Sequence, residues 1–222
     1  MWGIWFGFTL MRVALYLGAA CIVLGLALAV MPKLRQQSLG VIVLSIVLGA
    51  MTVSPILYQV RKARARPYIH DLTTDTMDPP EFVDVAALRA AAPNPVEYGG
   101  EAVAEKQRSG YPELRPLRVP QSPSEVFDTA VAAAKAMGWD MVAAQSEAGR
   151  IEATDTTFWF GFKDDVVIRI RPEDAGSVID IRSKSRIGGS DIGANAERID
   201  RFLKELSGRL DADQGHCGLE CE

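Results

Sequence analysis

Three polar stretches and one aromatic stretch of this sequence hold side chains suited to chemistry. The first is Ile69-His70-Asp71-Leu72-Thr73-Thr74-Asp75, with Asp78 close behind. A histidine flanked by carboxylates can serve as a general base, and the same set can ligate a metal. His70, Asp71 and Asp75 are therefore the catalytic candidates of a hydrolase. A plainer reading assigns these aspartates to Asx-turns and backbone capping in an irregular segment. The stretch lacks the glycine turn and terminal glutamate of an acidic calcium loop, so neither a metal nor a cofactor is expected.

The second stretch strings together Ser183, Ser185, Arg186, Gly188, Gly189, Ser190, Asp191, Asn195 and Arg198. Glycines at a helix start beside an arginine can cradle an anion, which makes Arg186, Gly188, Gly189, Ser190 and Asp191 an anion-binding candidate. Helix capping accounts for the same residues. A serine nucleophile needs a positioned base, and the only histidines, His70 and His216, sit in no nucleophile-elbow motif. The third stretch, Lys163-Asp164-Asp165, offers paired carboxylates. Neighbours on a strand point to opposite faces, so these two do not share a site.

Phe158, Trp159, Phe160 and Phe162 form the aromatic stretch. Adjacent large residues cannot all point inward from one strand. They either pack under a cover or form a ligand mouth or partner surface. Gly161 among them suggests a bend or bulge. At the far end, His216, Cys217 and Cys221 supply too few ligands to close a zinc site, and three cysteines in all are too few for a disulfide framework.

The elements that must carry these groups begin with an apolar region. Residues 13–31 are almost unbroken in apolarity, and about 20 such residues span a bilayer core as a helix. A polar loop, Pro32 to Gln37, leads to a second span at 39–60, so residues 1–66 read as a transmembrane helical hairpin. Ala27-Leu28-Ala29 looks like a signal-peptide cleavage site, but the run is long and a second span follows at once. Arg12, Arg61, Lys62, Arg64 and Arg66 flank the hairpin on its terminal side, against Lys33 and Arg35 in the loop. The positive-inside rule then puts the soluble part in the cytoplasm. The net charge of −4 argues against a dedicated nucleic-acid binder.

Residues 67–121 are rich in proline and weakly periodic, yet Ile69, Leu72, Phe82, Val83, Tyr98, Tyr111 and Leu114 suit a segment wrapped on a core rather than a linker. Short helices are expected near 81–91 and 100–108. The core proper spans 122–210. Ser122-Pro123-Ser124-Glu125 is a capping box that opens a helix to about Met137. Strands follow at about 139–145, 150–157, 164–171 and 178–187. A last helix is expected to start near Ser190 or Asp191, with Ile192, Ala196, Ile199, Leu203, Leu206 and Leu210 as its buried stripe. The fold class is α+β, with an antiparallel sheet of about four strands and two helices packed on one face. The other face carries Arg169, Arg171, Arg182 and Lys184 among Glu152, Thr154 and Asp180; it reads as a solvated ladder of charge pairs, or a docking face for an acidic partner or anionic lipid headgroups. Residues 211–222 read as a flexible tail.

The stretches I-H-D-L-T-T-D, N-P-V-E-Y-G-G from Asn94, T-T-F-W-F-G-F-K-D-D from Thr156 and S-R-I-G-G-S-D-I-G-A-N-A-E-R-I from Ser185 resemble the domain of unknown function 1499 family. The resemblance implies that 68–121 belongs to the folded domain, and it suggests an extracytoplasmic location, against the charge count. The expectation is an integral protein of a bacterial inner membrane. It would act as a non-enzymatic binding or assembly module near the lipid bilayer, with a membrane or envelope protein as possible partner, no nucleic acid, and no cofactor.

Overall fold

Two apolar helices open the chain because nothing in residues 4–65 offers an acidic side chain or a polar face to interrupt them. They are α1 (Ile4–Val30) and α2 (Pro32–Ala65). The structure, a computed structural model, describes residues 4–157 and 161–217, with side chains for 6–157 and 161–212. Both helices are long and apolar enough to cross a membrane. The expected polar loop at 32–37 is instead the first turns of α2, with a kink at Ser38 (φ −131°, ψ 26°). Pro32 suits the first turn of a helix because its missing N–H has no partner to lose there. The two helices pack closely through small residues. A Cβ on Gly49 would lie 2.5 Å from the carbonyl oxygen of Gly18 and 2.6 Å from Ile22.

The chain divides into two compact units, Met1–Ala65 and Arg66–Glu222. In the second, β1 (Asp71–Thr73) and β2 (Leu117–Val119) come from the wrapping segment, as do α3 (Val85–Leu88) and α4 (Glu101–Gly110). Then follow α5 (Pro123–Ala136), β3 (Asp140–Gln145), β4 (Arg150–Thr156), β5 (Lys163–Glu173), β6 (Gly176–Ser185) and α6 (Ala194–Cys217). The sheet is antiparallel in the order β1-β6-β5-β4-β3, with β2 also paired to β6. It therefore has six strands, two more than expected. The extra two were hidden because three-residue strands show no periodicity; they exist only because the free edge of β6 needs partners.

That edge is closed in detail. Thr74 bridges the gap between β1 and β2, its N–H donating to the Ile181 carbonyl and its hydroxyl accepting from the Ile181 N–H, each at 2.9 Å. On the outer side of β1 the buried Gln107 side chain imitates another strand. Its Oε1 accepts from the Thr73 N–H at 3.0 Å and its Nε2 donates to the Thr73 carbonyl.

Helices α5 and α6 pack on one face over Ile151, Ile168, Ile179 and Ile181. The capping box is formed: Ser122 accepts from the Glu125 N–H, and Glu125 accepts from the Ser122 N–H at 2.9 Å. Helix α6 begins at Ala194, later than expected, because Ile192 takes a left-handed conformation (φ 55°) that breaks the helix. Ile192 thus leaves the buried stripe. Phe202, fully buried and stacked on Trp139 with ring centroids 5.4 Å apart, joins Ala196, Ile199, Leu206 and Leu210 instead. The helix also continues to Cys217, into the stretch expected as a tail.

Phe202→Ala in the full chain should lower unfolding free energy by about 3–5 kcal/mol in urea titrations in detergent, the usual cost of emptying a buried aromatic site. A loss under about 1 kcal/mol would contradict this placement of α6.

Candidate functional site

The face of the sheet opposite the helices is a ladder of charges set by strand register. Lys184 lies between Asp71 on β1 and Asp165 on β5. One step along, Arg182 faces Thr73 and Val167; one further, Asp180 faces Arg169. The expectation of a solvated ladder is overturned here. Residues 76–98 of the wrapping segment lie over it, so Asp71, Asp165, Asp180, Glu152, Arg182 and Lys184 are all buried. Burial of charge demands pairing. Arg182 makes a bidentate pair with Asp71, 2.8 Å at each oxygen, and Lys184 adds a contact at 3.0 Å. Arg186 grips Asp165 in the same way at 2.9 and 2.8 Å, Arg89 approaches at 3.2 Å, and the Thr154 hydroxyl donates at 2.8 Å.

The cover is held by the ladder itself. Arg182 donates to the carbonyls of Pro80 and Val96, and Arg186 to that of Leu88. Glu152 accepts the N–H groups of Val83 (2.9 Å) and Val85 (2.8 Å). The Phe82 ring lies under the guanidinium groups of Arg182 (4.9 Å) and Arg89 (5.5 Å), and Arg182 also stacks on Tyr98 at 5.3 Å. Burial lowers the pKa of Lys184 and of Arg89, and pushes Tyr98 up to about 12.

A second polar network sits on the helix face at the same end of the sheet. Asp155 and Asp164 are direct cross-strand partners, two like charges side by side. Arg198 of α6 reconciles them, its Nε 2.8 Å from Asp155 and one Nη 2.7 Å from Asp164. Its other Nη donates to the Ser183 hydroxyl at 3.0 Å and to Asn195 Oδ1. Asn195 Nδ2 donates to the Ser185 hydroxyl (3.0 Å) and to the His70 carbonyl (3.1 Å). Asp164 and Asp165 do face opposite sides, Asp164 toward Arg198 and Asp165 toward Arg186 and Arg89.

His70, Asp71 and Asp75 are near in sequence but do not form one site. Among the described residues no side chain hydrogen-bonds the His70 imidazole. Asp71 is taken by Arg182 and Lys184. Asp75 accepts the N–H groups of Met77 and Asp78, each at 3.0 Å, and pairs with Arg169 and Arg171 at 3.5 and 3.6 Å. In the anion candidate, Arg186 is spent on Asp165, and Ser190 accepts the Ile192 N–H at 3.3 Å. The Asp191 carboxylate itself fills the start of α6, accepting from Gly193 (3.0 Å) and Asn195 (2.7 Å). An incoming anion would have to displace it. Gly189 packs against the Tyr68 ring. Phe158, Trp159 and Phe160 lie outside the described residues, as do the side chains of His216, Cys217 and Cys221. Phe162 is half-buried, its N–H donating to the Thr157 hydroxyl at 2.9 Å. Among the described residues, no three His, Cys, Asp or Glu side chains are grouped to hold a metal ion.

Arg89, Asn94 and Asp155 were invisible to sequence reasoning as site residues. The one signal was Arg89, a lone charge in the apolar run V-A-A-L-R-A-A-A. Asn94 ties the cover to the sheet, its Nδ2 donating to the carbonyls of Ser185 (3.0 Å) and Gly188 (2.8 Å).

Four distant stretches thus meet at one end of the sheet. Ser185 donates its N–H to the His70 carbonyl (3.0 Å), Arg186 to Lys163 (3.0 Å), Asn94 to Arg186 (3.1 Å) and Asp191 to Ile69 (3.2 Å). The class is an α+β domain with a charge-locked cover, behind two helices able to span a membrane. The chain belongs to the family described as Protein of unknown function (DUF1499), whose model matches residues 71–206. That match takes in the cover from β1 onward, the sheet, α5 and most of α6. No curated protein matches the chain.

Asp165→Asn should cost about 3–5 kcal/mol, because it strands Arg89 and Arg186 without a counter-charge. Glu173→Gln, which breaks the exposed pair with Arg118, should cost under about 1 kcal/mol. Urea unfolding of both variants checks the contrast; equal costs would refute the buried lock. Burial raises the pKa of Asp191, so the fold keeps its proton over a pH window where the unfolded chain has lost it. Its contribution to stability therefore falls as pH rises through that window. Carbon-detected NMR titration should place its midpoint above the ordinary value of about 3.9.

Proposed function

We propose that this chain is a membrane-anchored binding module and not a catalyst. One observation carries the reading: the carboxylates of the candidate site are committed to cationic side chains or to backbone N–H groups. Asp71, Asp155, Asp164 and Asp165 each hold a cation, and Asp191 caps a helix. General acid–base work needs a group free to exchange a proton with a substrate. A locked network instead stiffens a scaffold.

The outward faces of α1 and α2 suit lipid, with Leu17, Val23 and Leu24 each 63 % exposed. In water, apolar surface on this scale is a liability; in a bilayer it is the anchor. The chain enters the second unit at Arg66 and runs directly into β1, whose start pairs with the end of β6. The connection between β4 and β5 lies at that same end of the sheet. Its aromatic residues Phe158, Trp159, Phe160 and Phe162 are the proposed contact for an apolar ligand or an envelope protein near the bilayer. The soluble unit is assigned to the extracytoplasmic side of a bacterial inner membrane, in keeping with the family resemblance and against the basic residues at 61–66.

Two measurements test this. A photoreactive amino acid at position 159, irradiated in intact membranes, should crosslink to a lipid or to another protein; crosslinks confined to the chain itself would refute the contact. Alkaline phosphatase fused after Glu222 should be active, whereas a bright cytoplasmic fluorescent-protein fusion would reverse the placement.

A further inference from the structure

The covered end of the charge ladder is out of balance. Among the described residues, Arg89, Arg182, Lys184 and Arg186 converge there on two carboxylates, Asp71 and Asp165. The side chains of Arg89, Arg182 and Lys184 are no more than 3 % exposed, as are those of both aspartates. Of the remaining acids of this face, Asp78, Asp84 and Asp180 stand on Arg150, Arg169 and Arg171 toward its other end, and Glu152, in the same cross-strand row as Arg182 but two strands away, pairs with Arg150.

Backbone carbonyls take up part of the surplus. Arg182 donates to Pro80 and Val96, Lys184 to Glu97, Arg89 to Asn94 and Ser185, and Arg186 to Leu88. Carbonyl dipoles satisfy donors but do not cancel net charge. Three buried polar atoms of the cluster have no hydrogen-bond partner among the described residues. Arg89 meets Asp165 through Nη1 only as an ion pair at 3.2 Å, and its Nε has no acceptor. The Tyr98 hydroxyl has none either. Arg182 connects the two: its guanidinium stacks on Tyr98, and it shares the Phe82 ring with Arg89. Buried donors without acceptors are rare, and each calls for a partner.

We propose that this cluster binds a small inorganic anion between the cover and the sheet, with Arg89 and Tyr98 as donors and Arg182 as the main counter-charge. Lys184 and Arg186 supply the rest of the positive field. Arg186, 15 % exposed, marks the side from which the ion enters. The site is independent of the aromatic contact proposed above. The anion would act as a third counter-charge for the lock and tighten the cover onto the ladder.

The test is the thermal melting of the full chain in a neutral detergent at constant ionic strength. Sodium gluconate, too bulky to enter, is replaced stepwise by sodium chloride, and in a parallel series by sodium phosphate. Chloride should raise the midpoint saturably, by roughly 3–8 °C from the lowest to the highest concentration. Tyr98→Phe removes one hydroxyl and should leave the gluconate midpoint unchanged or higher, because an unpartnered buried hydroxyl is lost. The same variant should at least halve the chloride response. Arg89→Lys, which keeps the charge but not Nε, should do likewise. Equal midpoints in gluconate, chloride and phosphate would overturn the proposal and leave an ordered water as the only partner. So would a chloride response that both variants retain, since the ion would then act elsewhere. A response to phosphate alone would keep the site and enlarge its ligand.

Discussion

A carboxylate with no access to water cannot stand alone, and Asp165 is the group on which this domain turns. It is fully buried between β4 and β6 and held by Arg186, Arg89 and Thr154. Arg186 comes from the strand-to-helix connection and Arg89 from the end of the short helix α3 in the cover. Satisfying this one charge therefore draws three separated parts of the chain together. Asp71 does the same from β1, recruiting Arg182 and Lys184. The sheet and its cover are mutually dependent: without the cover the ladder would be solvated and worth little, and without the ladder the proline-rich cover has few apolar contacts of its own. Its apolar cluster on the sheet amounts to Phe82, Val85 and Val167, flanked by Val96 and Val142.

This explains why a segment with so little regular structure can be ordered. Residues 74–98 contribute only a four-residue helix, yet their backbone groups are answered from below by side chains. Glu152 accepts two N–H groups that no strand would reach, and arginines donate to carbonyls spread across the segment. The arrangement is directional as well as strong, because guanidinium forks fix both distance and orientation. Packing alone would tolerate sliding of the cover; bidentate pairs do not.

How much of this was legible in the sequence follows from the range of the forces involved. The capping box at Ser122–Glu125 is local, and it is formed as read. The alternation in β5 and β6 is local too, so the two faces of the sheet were assigned residue by residue. Which face meets water is not local. Arg169, Arg182 and Lys184 look the same whether solvent or an irregular segment lies beyond them, and the ladder was read as solvated. The strands β1 and β2 were missed because three residues carry no period. Phe202 was missed because stepping through Leu203 gives an equally regular stripe until the helix start is known, and that start depended on the backbone of Ile192. For the candidate site, Asn195, Arg198 and the opposed aspartates Asp164 and Asp165 were within reach of pattern reasoning. Arg89 and Asn94 were not, since their partners lie 76 and 91 positions away in the chain.

The two polar networks at the end of the sheet also bear on what kind of function it can host. On the helix face, Arg198 joins two carboxylates that register forces into contact, and the same guanidinium reaches Ser183 and Asn195. On the covered face, Asp165 gathers Arg89 and Arg186. The strand that bears Asp164 and Asp165 is thus clamped from both sides, immediately beside the turn that holds the aromatic stretch. Removing a proton from such a network, or adding one, breaks several bonds at once, which is unfavourable for a group that must cycle in turnover. What the same arrangement provides is stiffness, because bidentate guanidinium pairs fix both distance and orientation. The carboxylates that look catalytic in the linear sequence are thus the groups that lock the sheet to the cover on one face and to α6 on the other.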